Sequence, residues 1–458
     1  MASDLRRSAV RRSFCAGTFG ARRSSSLILV AASGLFVSAC SSGDDAATTP
    51  GPAKTEAENE GNGGSSGAPS RPTTTEQPQP HTGDGNTSVP DASKPIDIPS
   101  PDAASSVDDG ARAKRTVVRV HHPEASHISI RGNAASLDWT RGTACVPVGT
   151  DVCELSLPAA TSTVEWKPLI DDRTWSRGPN YGAPAGETTD VYPHFTVVRG
   201  SLQTFDPAFT STALPSTRKI TVYLPPTYAE NPTARFPVLY MHDGQNLFDA
   251  GRAFGGSEWR VDETLDAAAE SGAIREVIVV GVDNTSDRMN EYTPSRDASE
   301  GFGGKGDAYV ALLANELKPR IDRDLRTLSG REATSILGSS LGGLISVHAG
   351  VKRPEVFGRI GAMSPSTWWN DAAIVDAVGT LSSASVRPLL VYVDSGDGGN
   401  GRGDDVVNTR ALATAFRGVG FVDGVSLKYV VEPGGQHSES YWAGRLPAAL
   451  AFLVGPGR

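Results

Sequence analysis

Thr334-Ser335-Ile336-Leu337-Gly338-Ser339-Ser340-Leu341-Gly342-Gly343-Leu344 decides how this chain is read. An apolar run enters it and a small-residue run ending at Lys352-Arg353-Pro354 leaves it, so it reads as a strand, a tight turn and a helix start. Glycines flanking Ser340 carry no Cβ, which lets the backbone bend sharply, pack closely and leave the hydroxyl projecting from the turn. The G-x-S-x-G pattern alone is weak evidence: Gly63-Gly64-Ser65-Ser66-Gly67 also matches it, without a strand before or a helix after. Context singles out Ser340 as a nucleophile.

Around this elbow, strands alternate with helices from residue 199 to 458. Expected strands are Ile220–Leu224, Val238–Met241, Val277–Gly281, Ser335–Leu337, Ile360–Met363, Leu389–Val393 and Leu427–Val431, with helices at Trp259–Ala269, Ala308–Ile321 and Val406–Phe416. Near-continuous apolar strands separated by helices imply an α/β fold with a mostly parallel sheet covered on both faces.

A serine hydroxyl needs a base within reach and an acid to orient that base. Of eight histidines, His437 lies on a Gly-rich loop after the last strand, where a base completing the order Ser, acid, His belongs. His242 reads as shaping its loop and His348 as structural. The stretch after Leu389–Val393 offers Asp394, Asp397, Asp404 and Asp405. Asp394 reads as strand end and Asp405 as a helix cap; Asp404 is the favoured acid, with Asp397 the alternative. These carboxylates lack the alternating spacing of a calcium loop, and neither metal nor cofactor is expected. An oxyanion needs two backbone N–H donors. Leu341 supplies one, and Gln245, just past Gly244 in Tyr240–Asp249, supplies the other.

Upstream, residues 1–39 hold six arginines against Asp4, then the apolar run Leu27–Val37, which is too short to span a bilayer and suits a signal peptide. Val10-Arg11-Arg12-Ser13-Phe14 looks like a twin-arginine export signal. Val37-Ser38-Ala39-Cys40 resembles a bacterial lipobox, which implies cleavage before Cys40, a lipid on its sulfur and an exported lipoprotein held at the membrane, Ser41 favouring the outer one. Losing residues 1–39 removes a net +5 and takes the formal charge from −9 to −14, with no basic stripe for nucleic acid. Residues 40–113 are rich in Pro, Gly, Ser, Thr and acids without one aromatic residue, a composition that reads as a disordered tether.

Residues 114–198 carry short alternating runs such as Val117–Val120 and Cys153–Leu157, an antiparallel β pattern. Cys145 and Cys153, eight apart across an expected hairpin in an exported chain, are a candidate disulfide. Arg131-Gly132-Asn133, Trp139, Trp166 and Trp175–Tyr181 look like an immunoglobulin-type early-set sandwich, similar to glucan-binding modules, in which tryptophans stack on sugars. The blander expectation is that Trp139 and Trp166 are core and Trp175 packs on the next domain.

His242-Asp243-Gly244-Gln245-Asn246-Leu247-Phe248-Asp249, Trp259, Gly281–Asn284, Arg288, Glu291–Pro294, the Ser340 elbow and Ser364-Pro365-Ser366 together resemble the esterase D and enterochelin esterase-like family of α/β-hydrolases, related to carbohydrate esterase family 1. The resemblance implies a Ser340, Asp404 and His437 triad, with Trp368, Trp369, Arg288 and Glu291 at the substrate. The loop after Val393 is longer and more acidic than the family's. The expected activity is hydrolysis of carboxylic esters through an acyl-enzyme, on an esterified polysaccharide, an aromatic ester or a siderophore. An acyltransferase, or a surface lipoprotein that binds glycans without turnover, is the alternative. The sequence does not speak to oligomeric state.

Overall fold

The computed structural model describes residues 115–456 except 135, 159–160, 382–387 and 399–403. The expected signal peptide, Cys40 and the tether lie outside them.

The chain first builds two small sheets. One orders Val146–Pro147, Val152–Leu157, Thr116–His121 and Thr188–Val191; the other orders Thr143–Ala144, Ile128–Gly132, Val164–Ile170 and Thr174–Trp175, with Tyr181–Ala183 also on Val164–Ile170. Alternate side chains of Thr116–His121 point inward, so Val118 and Val120 meet Ile128, Ile130 and Trp166 in one core. Cys145 and Cys153 are joined in a disulfide inside it. One expectation for the tryptophans fails, that Trp139 is core. Trp166 is fully buried, but Trp139 and Trp175 remain 37% and 39% exposed, their rings 6.3 Å apart with Arg131 over Trp175. Trp175 lies on the short end strand of its own sheet, paired with Leu169.

The large sheet has eight strands: β1 (Ser201–Phe209), β2 (Arg218–Leu224), β3 (Val238–His242), β4 (Ile278–Val282), β5 (Thr334–Ser339), β6 (Arg359–Met363), β7 (Leu390–Gly396) and β8 (Leu427–Glu432). Their order is β1-β2-β4-β3-β5-β6-β7-β8, with β2 antiparallel to both neighbours and β4 through β8 parallel. This is the α/β-hydrolase arrangement. Pleating splits each central strand between two cores: Val238, Tyr240 and Ile336 pack on one face, Leu239, Met241 and Leu337 on the other. Helices α1 (Val261–Glu270), α2 (Leu341–Lys352), α3 (Val406–Gly418) and α4 (Glu439–Val454) flank the sheet. The expected helix at 308–321 is a composite: Gly306–Ala311 widens into a π-helical stretch at Leu312–Leu317 and resumes at Lys318–Asp324. Strand β1 escapes sequence reading because it is a largely exposed edge strand, bulged near Asp206 and carrying Pro207, with no apolar alternation to detect.

Acids and histidines fill the seam between the small sheets and the large one. Glu230 accepts backbone N–H groups of Phe195, Thr196 and Val197, and Asn231 donates to the carbonyls of His121 and Pro193. Glu276 accepts the Thr227 N–H at 3.2 Å, while Thr227 Oγ1 lies 2.7 Å from His194 Nδ1. Burial pushes the Glu276 carboxyl up to about 7. The folded state therefore holds this proton between the ordinary 4.5 and about 7, so its contribution to stability falls as pH rises through that window. Burial pushes His122 and His194 down, which acts in the opposite sense, so the difference between parent and Glu276→Gln isolates the carboxyl. Denaturant titrations should show the parent losing up to about 3 kcal/mol relative to Glu276→Gln between about pH 4.5 and 7; a pH-independent difference would refute this assignment.

Candidate active site

Strand β5 runs buried to Ser339, the chain reverses at Ser340, and α2 starts at Leu341. Ser340 sits at φ 56°, ψ −124°, a conformation costly for a residue with a Cβ. The neighbouring glycines contribute unequally. A Cβ on Gly338 would lie 2.7 Å from the Gly342 carbonyl carbon and 2.8 Å from the His242 ring, whereas one on Gly342 would meet its nearest neighbour, His242 Cβ, at 3.3 Å. The strand-side glycine is thus the stricter requirement for the bend.

Ser340 Oγ lies 2.9 Å from His437 Nε2, and His437 Nδ1 lies 2.6 Å from Asp404 Oδ1. An ionised carboxylate only accepts, so the ring proton belongs on Nδ1 and the Nε2 lone pair faces the serine hydroxyl. Asp404 is fully buried on its side chain, and its other oxygen accepts from Ser364 Oγ, the Gly396 N–H and Arg445 Nη2. Burial works against its ionisation, but the bonds from His437, Ser364 and Gly396 outweigh it and hold the carboxyl below its ordinary value. Arg445 also reaches Asp394 at 3.2 Å, and burial pushes Asp394 up to about 6.

The structure thus brings Asp404, not Asp397, to His437. Asp397 instead accepts the Gly434 N–H at 2.6 Å, bracing the turn that carries the histidine. Asp405 caps α3 by accepting from the Asn408 N–H.

The Ser340 N–H is engaged by the Met363 carbonyl, while Leu341 opens α2, where first-turn N–H groups have no intrahelical acceptor. Gln245 occupies the middle of a one-turn 3-10 helix, Gly244–Asn246, just past β3 and on the wall of the same cavity. Asp243 enters that turn left-handed (φ 54°) and is held by Arg288, whose Nε and Nη2 reach its carboxylate at 2.7 and 2.8 Å, and by Asn284 Nδ2 at 2.6 Å. His242, pushed down to about 3 by burial, stays neutral beneath the turn against Tyr309.

A cavity of about 400 Å³ opens over Ser340, lined by Gln245, Asn284, Arg288, Glu439, Trp259 and Trp442 among others. Three expected lining residues are elsewhere. Glu291 is fully buried and paired with Arg218 through two 3.1 Å bonds. Trp369 points into the core, donating to the Ser295 carbonyl, after which residues 370–372 turn left-handed. Trp368 lies 44% exposed and off the cavity wall. The tryptophans that do line it, Trp259 and Trp442, have rings 5.9 Å apart. Trp442 packs edge-on against His437 and donates to Ser364. Trp442, Ser364 and Arg445 went unassigned in the sequence; an arginine in the apolar run of the helix after His437 was the available signal. Among the described residues no His, Cys, Asp or Glu cluster is arranged for a metal ion.

Residues 211–453 match the family model described as "Putative esterase". The uncharacterized protein YbbA of Bacillus subtilis is 28% identical over 249 residues, covering 53% of this chain and 94% of its own. A siderophore triacetylfusarinine C esterase of Aspergillus fumigatus is 30% identical over 147 residues, 30% of this chain and 47% of its own. A solved ferulic acid esterase aligns with 56% of this chain and 98% of its own at 22% identity, with a TM-score of 0.43.

Two stability measurements check the site's framework. Gly338→Ala should lower the unfolding free energy by about 1 to 3 kcal/mol as overpacking, clearly more than Gly342→Ala; equal losses would contradict the unequal roles. Glu291→Gln strands a buried guanidinium and should cost about 3 to 5 kcal/mol; a loss under about 1 kcal/mol would show that Arg218 finds another partner.

Proposed function

This chain belongs to the esterase family that its residues 211–453 match and is a carboxylic ester hydrolase; from that premise we propose that Ser340, His437 and Asp404 are its catalytic triad. The observation that carries this is the continuous chain of contacts from the Ser340 hydroxyl through both ring nitrogens of His437 to the buried Asp404.

In this mechanism His437 Nε2 takes the Ser340 proton as Oγ adds to the ester carbonyl. The Leu341 and Gln245 N–H groups receive the oxyanion, and the imidazolium then protonates the leaving alcohol. Water, deprotonated by the same nitrogen, releases the acid from Ser340. Asp404 stays ionised throughout and keeps the ring oriented, which is the purpose of the three donors on its far oxygen.

Substrate and location extend the proposal. An esterified polysaccharide or aromatic ester and a siderophore ester are the two substrate classes; the Aspergillus relative supports the second. The exposed Trp139 and Trp175 support the first, as a sugar-stacking face on what we read as an immunoglobulin-like sandwich. Cys40, with its lipobox-like approach, supports an exported lipoprotein of the outer membrane, with residues 40–113 as its tether.

Hydrolysis of a p-nitrophenyl ester tests the triad. Ser340→Ala and His437→Ala should each lose on the order of 10⁴ to 10⁶ in kcat, and Asp404→Asn about 10⁴, because the amide favours the wrong tautomer. Asp397→Asn should lose less than about tenfold. An Asp397 variant more damaged than the Asp404 variant would reverse the assignment, and an active Ser340→Ala would end the triad proposal.

A further inference from the structure

The cavity over Ser340 carries a charge that acyl transfer does not require. Besides His437, its ionisable lining is Asp243, Arg288 and Glu439. Both side-chain hydrogen bonds of Arg288 go to Asp243, so the charges of that pair offset each other. Glu439 is the first residue of α4, two positions past His437, and no ion pair is formed by it among the described residues. It is close enough to feel Asp243 repel it and His437 and Arg288 attract it, and burial is the main force pushing its carboxyl above the ordinary value. Apart from Ser339 and Ser340, the rest of the wall is amide and aromatic: Gln245, Asn246, Asn284, Phe254, Trp259 and Trp442. The lining therefore presents one carboxylate that forms no ion pair among the described residues, in the first turn of α4, and no cation outside the Asp243–Arg288 pair.

We propose that Glu439 is a specificity-determining residue whose carboxylate makes the cavity select esters that are uncharged or cationic beside the scissile bond and reject those bearing an anion there. Resting on the esterase assignment above, this separates neutral esters from anionic ones, an iron-loaded catecholate siderophore being among the latter. A hydroxyl-rich neutral ester can donate to the carboxylate and to the neighbouring amide oxygens, forming the stronger kind of hydrogen bond that an ionised acceptor gives. An iron-loaded catecholate ester carries several negative charges, and the one cation it meets on this wall is already shared with Asp243. Discrimination by a like charge in a partly enclosed site is negative selection: it acts by penalising the wrong substrate.

The test uses the full chain, as parent, Glu439→Gln and Glu439→Asp. Matched esters vary the charge on each side of the bond: p-nitrophenyl butyrate against p-nitrophenyl hemisuccinate for the acyl group, and phenyl acetate against 4-carboxyphenyl acetate for the alcohol. The readout is the anionic-to-neutral ratio of kcat/KM, which a purely structural role for Glu439 would leave in place. In the parent the anionic member should be at least about tenfold poorer on the side that Glu439 faces, and added salt should narrow the gap. Glu439→Gln should raise that ratio about tenfold and Glu439→Asp should keep it near the parent's. A Gln variant within twofold of the parent on both sides overturns the proposal, as does an Asp variant that shifts as far as Gln. A parent inert to all four esters overturns the esterase assignment itself, a result distinct from active enzyme without charge preference.

Discussion

The buried carboxylate of Asp404 is the contact on which the rest of the site depends. One oxygen fixes His437; the other gathers Ser364 from beyond β6, the Gly396 N–H at the end of β7 and Arg445 from α4. Three stretches distant in sequence, at Ser364, from Gly396 to Asp404 and from His437 to Arg445, are thereby tied at one point. A buried charge is tolerated only when paired and hydrogen-bonded, so the fold must deliver all of these donors for the acid to remain an acid. Arg445 serves two carboxylates, and the outcome is uneven. Asp404, with four donors, stays low, while Asp394, with Tyr392, Ser364 and part of Arg445, is pushed up. The charge is concentrated where the histidine needs it.

The second constraint is steric. Ser340 can hold its strained conformation because α2, β5 and the His242 turn pack so closely at Gly338 that a relaxed bend has no room. The same close approach brings the Gln245 turn to the wall beside the serine, so the two amides proposed for the oxyanion derive from one packing event. His242, kept neutral by burial, is the wedge between them.

Sequence legibility followed locality. The elbow, the Gly244-Gln245 turn and the His437 loop could be read because each role is encoded by a few adjacent residues whose backbone preferences are strong. Six of the strands β2 to β8 were legible to within two residues at each end because they carry dense apolar runs; β7 continues three residues past its expected end, to Gly396, and the edge strand β8 is only half-buried. Asp404 was favoured while Asp397 stayed open as the alternative, since a glycine-rich stretch between them sets no fixed reach; both carboxylates lie near the histidine loop, one on the ring and one on the Gly434 N–H. Trp368 and Trp369 misled because adjacency says nothing about which way a chain turns: three left-handed residues follow, and Trp369 goes to the core. Arg445, Trp442 and Glu439 stand on one helix and look like ordinary amphipathic residues until α4 is docked on the sheet. Only that docking makes them neighbours of the site.

Arg288 illustrates how a residue can lie at a substrate cavity without serving as its cation. Family resemblance put it at the substrate, and it does line the cavity, over the Tyr292 ring at 5.0 Å. Its two donors nevertheless meet one carboxylate in the bidentate geometry that makes such pairs strong, and burial of both partners raises the cost of separating them. Asp243 in turn is left-handed, a conformation that has to be held from outside, and Asn284 and Arg288 are what hold it. The pair is better understood as the scaffold of the Gln245 turn. An anionic substrate recruiting Arg288 would release Asp243 and loosen the turn that carries one of the two proposed oxyanion amides. Recognition of an anion by Arg288 and the proposed stabilisation of the oxyanion by Gln245 would then draw on the same scaffold, which is the physical reason for setting the two against each other.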